Sequence, residues 1–139
     1  MLFPKKVKHR KWHTMRDGAK KTGKVATRGT EVSFGSFGLK AVSPARVRSQ
    51  QIEAARKAMT RSAGKLARVW IRIFPDMPYT NKAAEVPMGN GKGDLQGYQF
   101  MVTPGRMIFE LDGIGEKEAR EALRKAGTKL PVKTKIVAR

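Results

Sequence analysis

From residue 30 onward the spacing of apolar positions predicts a series of short elements. Thr30 to Val42 is rich in aromatic and β-branched residues (Val32, Phe34, Phe37, Leu39), which predicts a strand over 30–43. Gly35 and Gly38 interrupt its alternation and predict a bulge or a close backbone approach. Pro44 closes the strand and opens a short turn. Ile52, Ala55 and Met59 recur at helical spacing and predict a helix over 50–62, with Ser49 as N-cap, Glu53 in the first turn and Gly64 at the end. Arg68 to Phe74 alternates strictly, with Val69, Ile71 and Ile73 on one face and Arg68, Trp70, Arg72 and Phe74 on the other. The second face fits two arrangements equally well. It is a nucleic-acid surface of cations and aromatics, or it is aromatic packing under another element with arginines at the rim. Pro75 to Pro78 ends the strand.

Tyr98–Val102 and Met107–Leu111 read as two strands of a hairpin joined by Thr103-Pro104-Gly105-Arg106. Ala119, Ala122, Leu123 and Ala126 predict an inward helical stripe over 116–126. Glu116, Glu118 and Glu121 lie early in it, Arg124 and Lys125 late, and Gly127 follows as C-cap. Leu130 to Val137 is a last strand with a lysine face of Lys133 and Lys135. The result is an α+β fold: a single domain with a mixed, mostly antiparallel sheet and two helices.

Two stretches lack core-forming periodicity. Residues 1–29 form a basic N-terminal arm that precedes the domain at 30–139, and residues 79–97 form a protruding loop. The arm carries Lys5, Lys6, Lys8, Arg10, Lys11, Arg16, Lys20, Lys21, Lys24 and Arg28 against Asp17 alone. Such a segment repels itself and orders on a polyanion. Trp12 is placed either to stack on a base or to pack back on the domain. The loop contains Met88, Gly89, Asn90, Gly91, Lys92 and Gly93, in which glycine and bare amides suit close approach to phosphate oxygens. Those six residues alone fit an ordinary flexible tip better. They are not a Walker loop, because Val86 stands where its first glycine belongs and Gly93 follows Lys92.

Charge sharpens this picture. The 139 residues include 30 Lys and Arg against 11 Asp and Glu, a net charge of +19. That imbalance points to a polyanionic partner, nucleic acid before membrane. Arg46 and Arg48 lie just before the first helix, and Arg56, Lys57 and Arg61 give that helix a cationic outer face. The helix is too alanine-rich and too weakly amphipathic for a membrane-active role. There is no cysteine, no apolar run long enough to span a bilayer and no signal-peptide segment at the start. These features point to the cytoplasm. His9 and His13 are four residues apart, but no acidic ligand is near them, so phosphate contact or solvation is the better reading. Glu110 and Asp112 share a strand face and are expected to form local salt bridges. No nucleophile–base–orienter set is visible, which argues against an enzyme and against a small-molecule substrate, cofactor or metal.

Seven segments occur in a specific order. They are Pro4-Lys5-Lys6 with Arg10-Lys11, Val32-Ser33-Phe34-Gly35-Ser36-Phe37-Gly38-Leu39, Gln51 to Arg56, Ile71-Arg72-Ile73-Phe74-Pro75-Asp76, Met88-Gly89 with Gly91-Lys92-Gly93, Pro104-Gly105-Arg106, and Lys129-Leu130-Pro131 with Lys133-Thr134. In this the chain resembles the family of the sixteenth protein of the bacterial large ribosomal subunit, shared with the archaeal and eukaryotic tenth-protein-e type. The resemblance covers nearly the whole chain. It implies a hammerhead-like fold and a structural role on 23S rRNA, near 5S rRNA and beside neighbouring large-subunit proteins. It also implies that the Gly-rich loop approaches A-site, or P-site, tRNA near the peptidyl-transferase region. The rRNA contacts would come from Lys5, Lys6, Lys8, Arg10, Lys11, Trp12, Arg16, Arg46, Arg48, Arg56, Lys57, Arg61, Arg72, Lys133 and Lys135. Three features depart from the family pattern. Pro87 stands where Arg precedes Met-Gly, Asn90 replaces the first lysine of the loop and leaves Lys92 as its cation, and Gln96 to Phe100 replaces an aromatic-rich stretch. Residues 14–28 match no pattern of the family. A different class remains open, a basic RNA-binding assembly factor that visits the ribosome without staying.

Overall fold

The computed structural model describes residues 1–14 and 24–139. The elements run β1 (Phe37–Ala41), β2 (Ala45–Arg48), α1 (Ser49–Ala63), β3 (Arg68–Ile71), β4 (Met77–Asn81), β5 (Asp94–Val102), β6 (Met107–Asp112), α2 (Glu116–Gly127) and β7 (Thr134–Ala138). The strands form two antiparallel sheets, one ordered β3-β6-β1-β7 and one ordered β2-β5-β4.

α2 lies on β1, β6 and β7, and α1 packs against α2 while reaching β2, β3 and β5. Ala119, Ala122, Leu123 and Ala126 are fully buried, so the inward stripe of the second helix is the one its spacing predicts. Small residues there let the two helices approach closely. Ile52, Ala55 and Met59 of α1 meet them in the same core, with Leu39, Phe109 and Leu111 from the sheet. Full burial of Phe109 and Leu111 stabilises the fold by roughly 1.5–3 kcal/mol each.

Several elements differ from the pattern-based expectation. Arg48, not Ser49, is the N-cap of α1, and its N–H donates to Gln51 Oε1 at 2.9 Å. Glu53 therefore falls outside the first turn and instead binds Arg56 at 2.6 Å. Gly127 is the last residue of α2 rather than its cap. A Cβ there would meet Thr134 Oγ1 at 2.7 Å, so glycine lets the helix end close onto β7. Tyr98–Val102 and Met107–Leu111 do not make a hairpin. β5 belongs to one sheet and β6 to the other, and the turn at 103–106 carries the chain between them, with the Gly105 amide donating to the Ala41 carbonyl at 2.7 Å. The strand expected over 30–43 is regular only from Phe37. Residues 29–36 instead run over the face of the four-stranded sheet that is turned away from α2, tied by the Met107 amide to the Gly29 carbonyl at 2.8 Å.

Candidate nucleic-acid interface

The residues that the sequence singles out do not gather into one patch. Among the described residues they fall on three surfaces, and Arg16 lies outside the described residues.

The first surface joins the arm to the base of the Gly-rich loop. Residues 1–14 contain no helix or strand, yet they are not detached. Leu2 packs against the core. Lys11 Nζ donates to the Lys92 carbonyl at 3.1 Å, and Lys92 Nζ donates in return to the Trp12 carbonyl. Lys11 also lies 3.9 Å from the Asp94 carboxylate. Beneath this clasp a recess of about 90 Å³ is lined by Thr14, Arg46, Pro78, Tyr79, Thr80, Lys92 and Gln99. Arg46 and Arg48 project from β2 into solvent, and the Arg48 guanidinium sits 4.9 Å from the Tyr79 ring centroid. Lys5, Lys6, Lys8 and Arg10 are exposed along the arm, and Trp12 is 40% exposed.

The loop itself extends from β4 and β5, whose pairing continues to Asn81 opposite Asp94. At its tip Gly89, Asn90 and Gly91 all have positive φ, at 95°, 55° and 98°. Three such residues in succession need glycine or asparagine, which explains the Gly-Asn-Gly run. Lys92 was expected to be the cation offered by this tip. Its ammonium is turned back onto Trp12 instead. Lys82 performs a similar inward task, donating to the Pro87 carbonyl at 3.3 Å and to the Gly89 carbonyl. The exposed tip therefore presents backbone, Asn90 and the side chains of Glu85, Val86, Pro87 and Met88, the last 86% exposed.

The second surface takes in the outer side of α1 and, across α2, the strand β7. Arg56 and Lys57 both face Glu53, and the Arg56 hydrogen bond holds that carboxyl down at about 2. The helix is thus partly paired within itself, more than its composition suggests. Arg61 is exposed at its last turn. Lys133 and Lys135 are exposed on the approach to β7 and on the strand itself.

The third surface surrounds Arg72, and it contains Glu110, whose burial the sequence did not foretell. Glu110 was expected to form a local salt bridge, and it pairs with Arg72. It is fully buried. It accepts the backbone amides of Ser33 at 3.1 Å, Phe34 at 2.6 Å and Gly35 at 2.9 Å, together with the Arg72 guanidinium. Burial would push its pKa up, but the hydrogen bonds from Gly35, Ser33, Phe34 and Arg72 outweigh it and hold the carboxyl below its ordinary value. The sequence did carry a signal, a single carboxylate inside the run Met107 to Leu111. Gly35 is required for this approach, since a Cβ would meet the Leu111 carbonyl oxygen at 2.6 Å. Phe34 is thrown outward, 57% exposed. Its ring centroid lies 6.3 Å from that of Trp70, and Arg72 is 5.0 Å from it. Of the two arrangements open for this face, Trp70 takes part in both, packed against Phe34 and only partly covered.

Among the described residues there is no group of three or more His, Cys, Asp or Glu placed to hold a metal, and no helix long and apolar enough to cross a membrane. The family model for ribosomal protein L16p/L10e matches residues 4–137. The chain is 51% identical to the large ribosomal subunit protein uL16 of Afipia carboxidovorans and 52% identical to that of Rhodopseudomonas palustris. Each match covers 100% of this chain and 98% of the relative. The chain belongs to the ribosomal protein L16p/L10e family. In this L16p/L10e chain, Pro87 and Asn90 occupy the two exposed loop positions flagged as departures. Neither adds a charge, which agrees with a tip whose nearest ammoniums are both turned inward.

Proposed function

We propose that this protein, a structural component of the large ribosomal subunit, binds 23S rRNA through its arm and cationic surfaces and holds its Gly-rich loop toward A-site tRNA near the peptidyl-transferase region. The observation that carries the reading is how few of the candidate cations are neutralised. Among the described residues, only Lys11, Arg56, Lys57 and Arg72 of the candidate set have a carboxylate within 4.0 Å. The rest point into solvent on a chain of net charge +19, the electrostatic footprint of a phosphate-backbone binder. Both relatives are named as large-subunit proteins, which supports a place beside 5S rRNA and neighbouring subunit proteins in the cytoplasm. The role is one of positioning, without catalysis of its own.

The loop meets its partner chiefly by backbone and shape, because the Lys82 and Lys92 ammoniums are bonded to the protein's own carbonyls. Ribosomes carrying Gly91→Val or Lys92→Ala test this. Both variants should sediment with the large subunit in high-salt gradients, as a core component does and a visiting assembly factor does not. Gly91→Val, which forces a β-branched residue onto a φ of 98°, should lower A-site tRNA affinity more than Lys92→Ala does. Loss of the protein from the subunit in high salt would overturn the structural role. Wild-type tRNA affinity in both variants would overturn the loop's part in it.

A further inference from the structure

The geometry points to a second RNA-recognition site on the opposite sheet, in which the exposed ring of Phe34, backed by Trp70 and flanked by Arg68 and Arg72, stacks on an unpaired RNA base. It rests on the rRNA-binding reading above and assigns one specific contact within it. Four observations converge. Phe34 is 57% exposed although it lies in a segment bonded closely to the core. The backbone amides on both sides of it, and its own, all end on the buried Glu110, so the backbone that carries the outward ring is fixed by an inward charge. A ring needed only for packing would have been turned in, whereas a rigid exposed one is preorganised for a partner. Trp70 stacks beside it with 19° between ring planes, giving a continuous aromatic surface. Arg72 lies 5.0 Å from the Phe34 centroid, and Arg68 projects into solvent from the same strand face.

The chemistry fits a base better than an apolar side chain. Flat aromatic surface bordered by guanidinium groups is what base stacking uses; Arg72 stays paired to Glu110 and steadies the ring, which leaves Arg68 for an adjoining phosphate. An unpaired base is required, because a base within a duplex offers no open face.

Trp70 supplies the readout. In a Trp12→Phe background it is the only tryptophan, and the affinity of that protein sets the reference. Titration with an in-vitro transcript of large-subunit rRNA should quench Trp70 emission. Heparin, bound through charge alone, should leave it unquenched. Phe34→Leu should weaken the rRNA complex by about tenfold, within the range for loss of one stacked base, while the steep salt dependence stays unchanged. Phe34→Tyr should restore affinity. An unquenched Trp70 at saturating rRNA overturns the site and leaves the cationic reading standing, as does reference affinity in a folded Phe34→Leu. If the reference protein binds no rRNA at all, both readings fall together.

Discussion

Residues 31–36 and residues 82–93 are both irregular backbone, and each is held by the charged end of one side chain, but the charges are opposite and so are the surroundings. Over the sheet, the fully buried Glu110 carboxylate collects three amides and a guanidinium. At the loop, the Lys82 ammonium collects the carbonyls of Pro87 and Gly89, both on exposed residues. A carboxylate organises N–H groups and an ammonium organises C=O groups. Only where water is excluded does the loss of the organiser leave its partners unsatisfied. The covering segment is thus part of the fold, and the loop is an appendage that the fold merely shapes.

The largest expected effect tests that contrast directly. Glu110→Gln should destabilise the protein by about 3–5 kcal/mol, because it removes the buried charge that Arg72 and the amides face. It is read by urea unfolding at neutral pH. The carboxyl's folded pKa is depressed from 4.5, so its contribution is present above that value and is lost as pH falls through the lower folded value. Wild-type stability should therefore drop in acid below about pH 4.5, and more steeply than that of the variant. Equal stability of the two proteins at pH 7 would remove the distinction between the segments.

Next in size is a pair of glycine substitutions. Gly35→Ala places a Cβ 2.6 Å from the Leu111 carbonyl oxygen, and something must shift. A cost of about 1–3 kcal/mol in global stability is expected, as for other overpacked sites. Gly91→Ala meets no atom within 4 Å and is strained only by its φ of 98°. Its cost should stay local, with the melting temperature nearly unmoved and faster amide exchange across 86–91. A larger melting shift for Gly91→Ala than for Gly35→Ala would reverse the ranking. The smallest effect belongs to Lys82→Ala. Water replaces the ammonium at both carbonyls, so global stability should change by less than about 0.5 kcal/mol. The loop amides should still exchange faster, and unchanged exchange would mean that Lys82 does not shape the tip.

Legibility in the sequence followed the number of positions that each element commits. α2 has four inward residues at helical spacing, and all four are buried where expected. β2 has only Val47 between two arginines, too little alternation to distinguish it from the turn that Pro44 opens. β4 was hidden by Pro78. That proline is tolerated because β4 is an edge strand, bonded to β5 on one side only. The cationic surfaces were visible as composition. The inward turn of Lys82 and Lys92 was not, because it depends on which carbonyls the folded loop brings within reach. Glu110 and Phe34 were both named, yet their roles came from a contact between residues 75 to 77 positions apart, which local periodicity does not encode.

The strand order β3-β6-β1-β7 also sets a timetable for synthesis. β1 emerges early, but both of its edges pair with late strands: Leu39 with Phe109 on one side and with Ile136 on the other. The three-stranded sheet needs nothing beyond Val102. It can therefore pair while β1 still has neither neighbour. The non-local four-stranded sheet closes last. Until then the most basic part of the chain leaves the ribosome attached to an unpaired strand, so these cations are presented before the domain they belong to has finished folding.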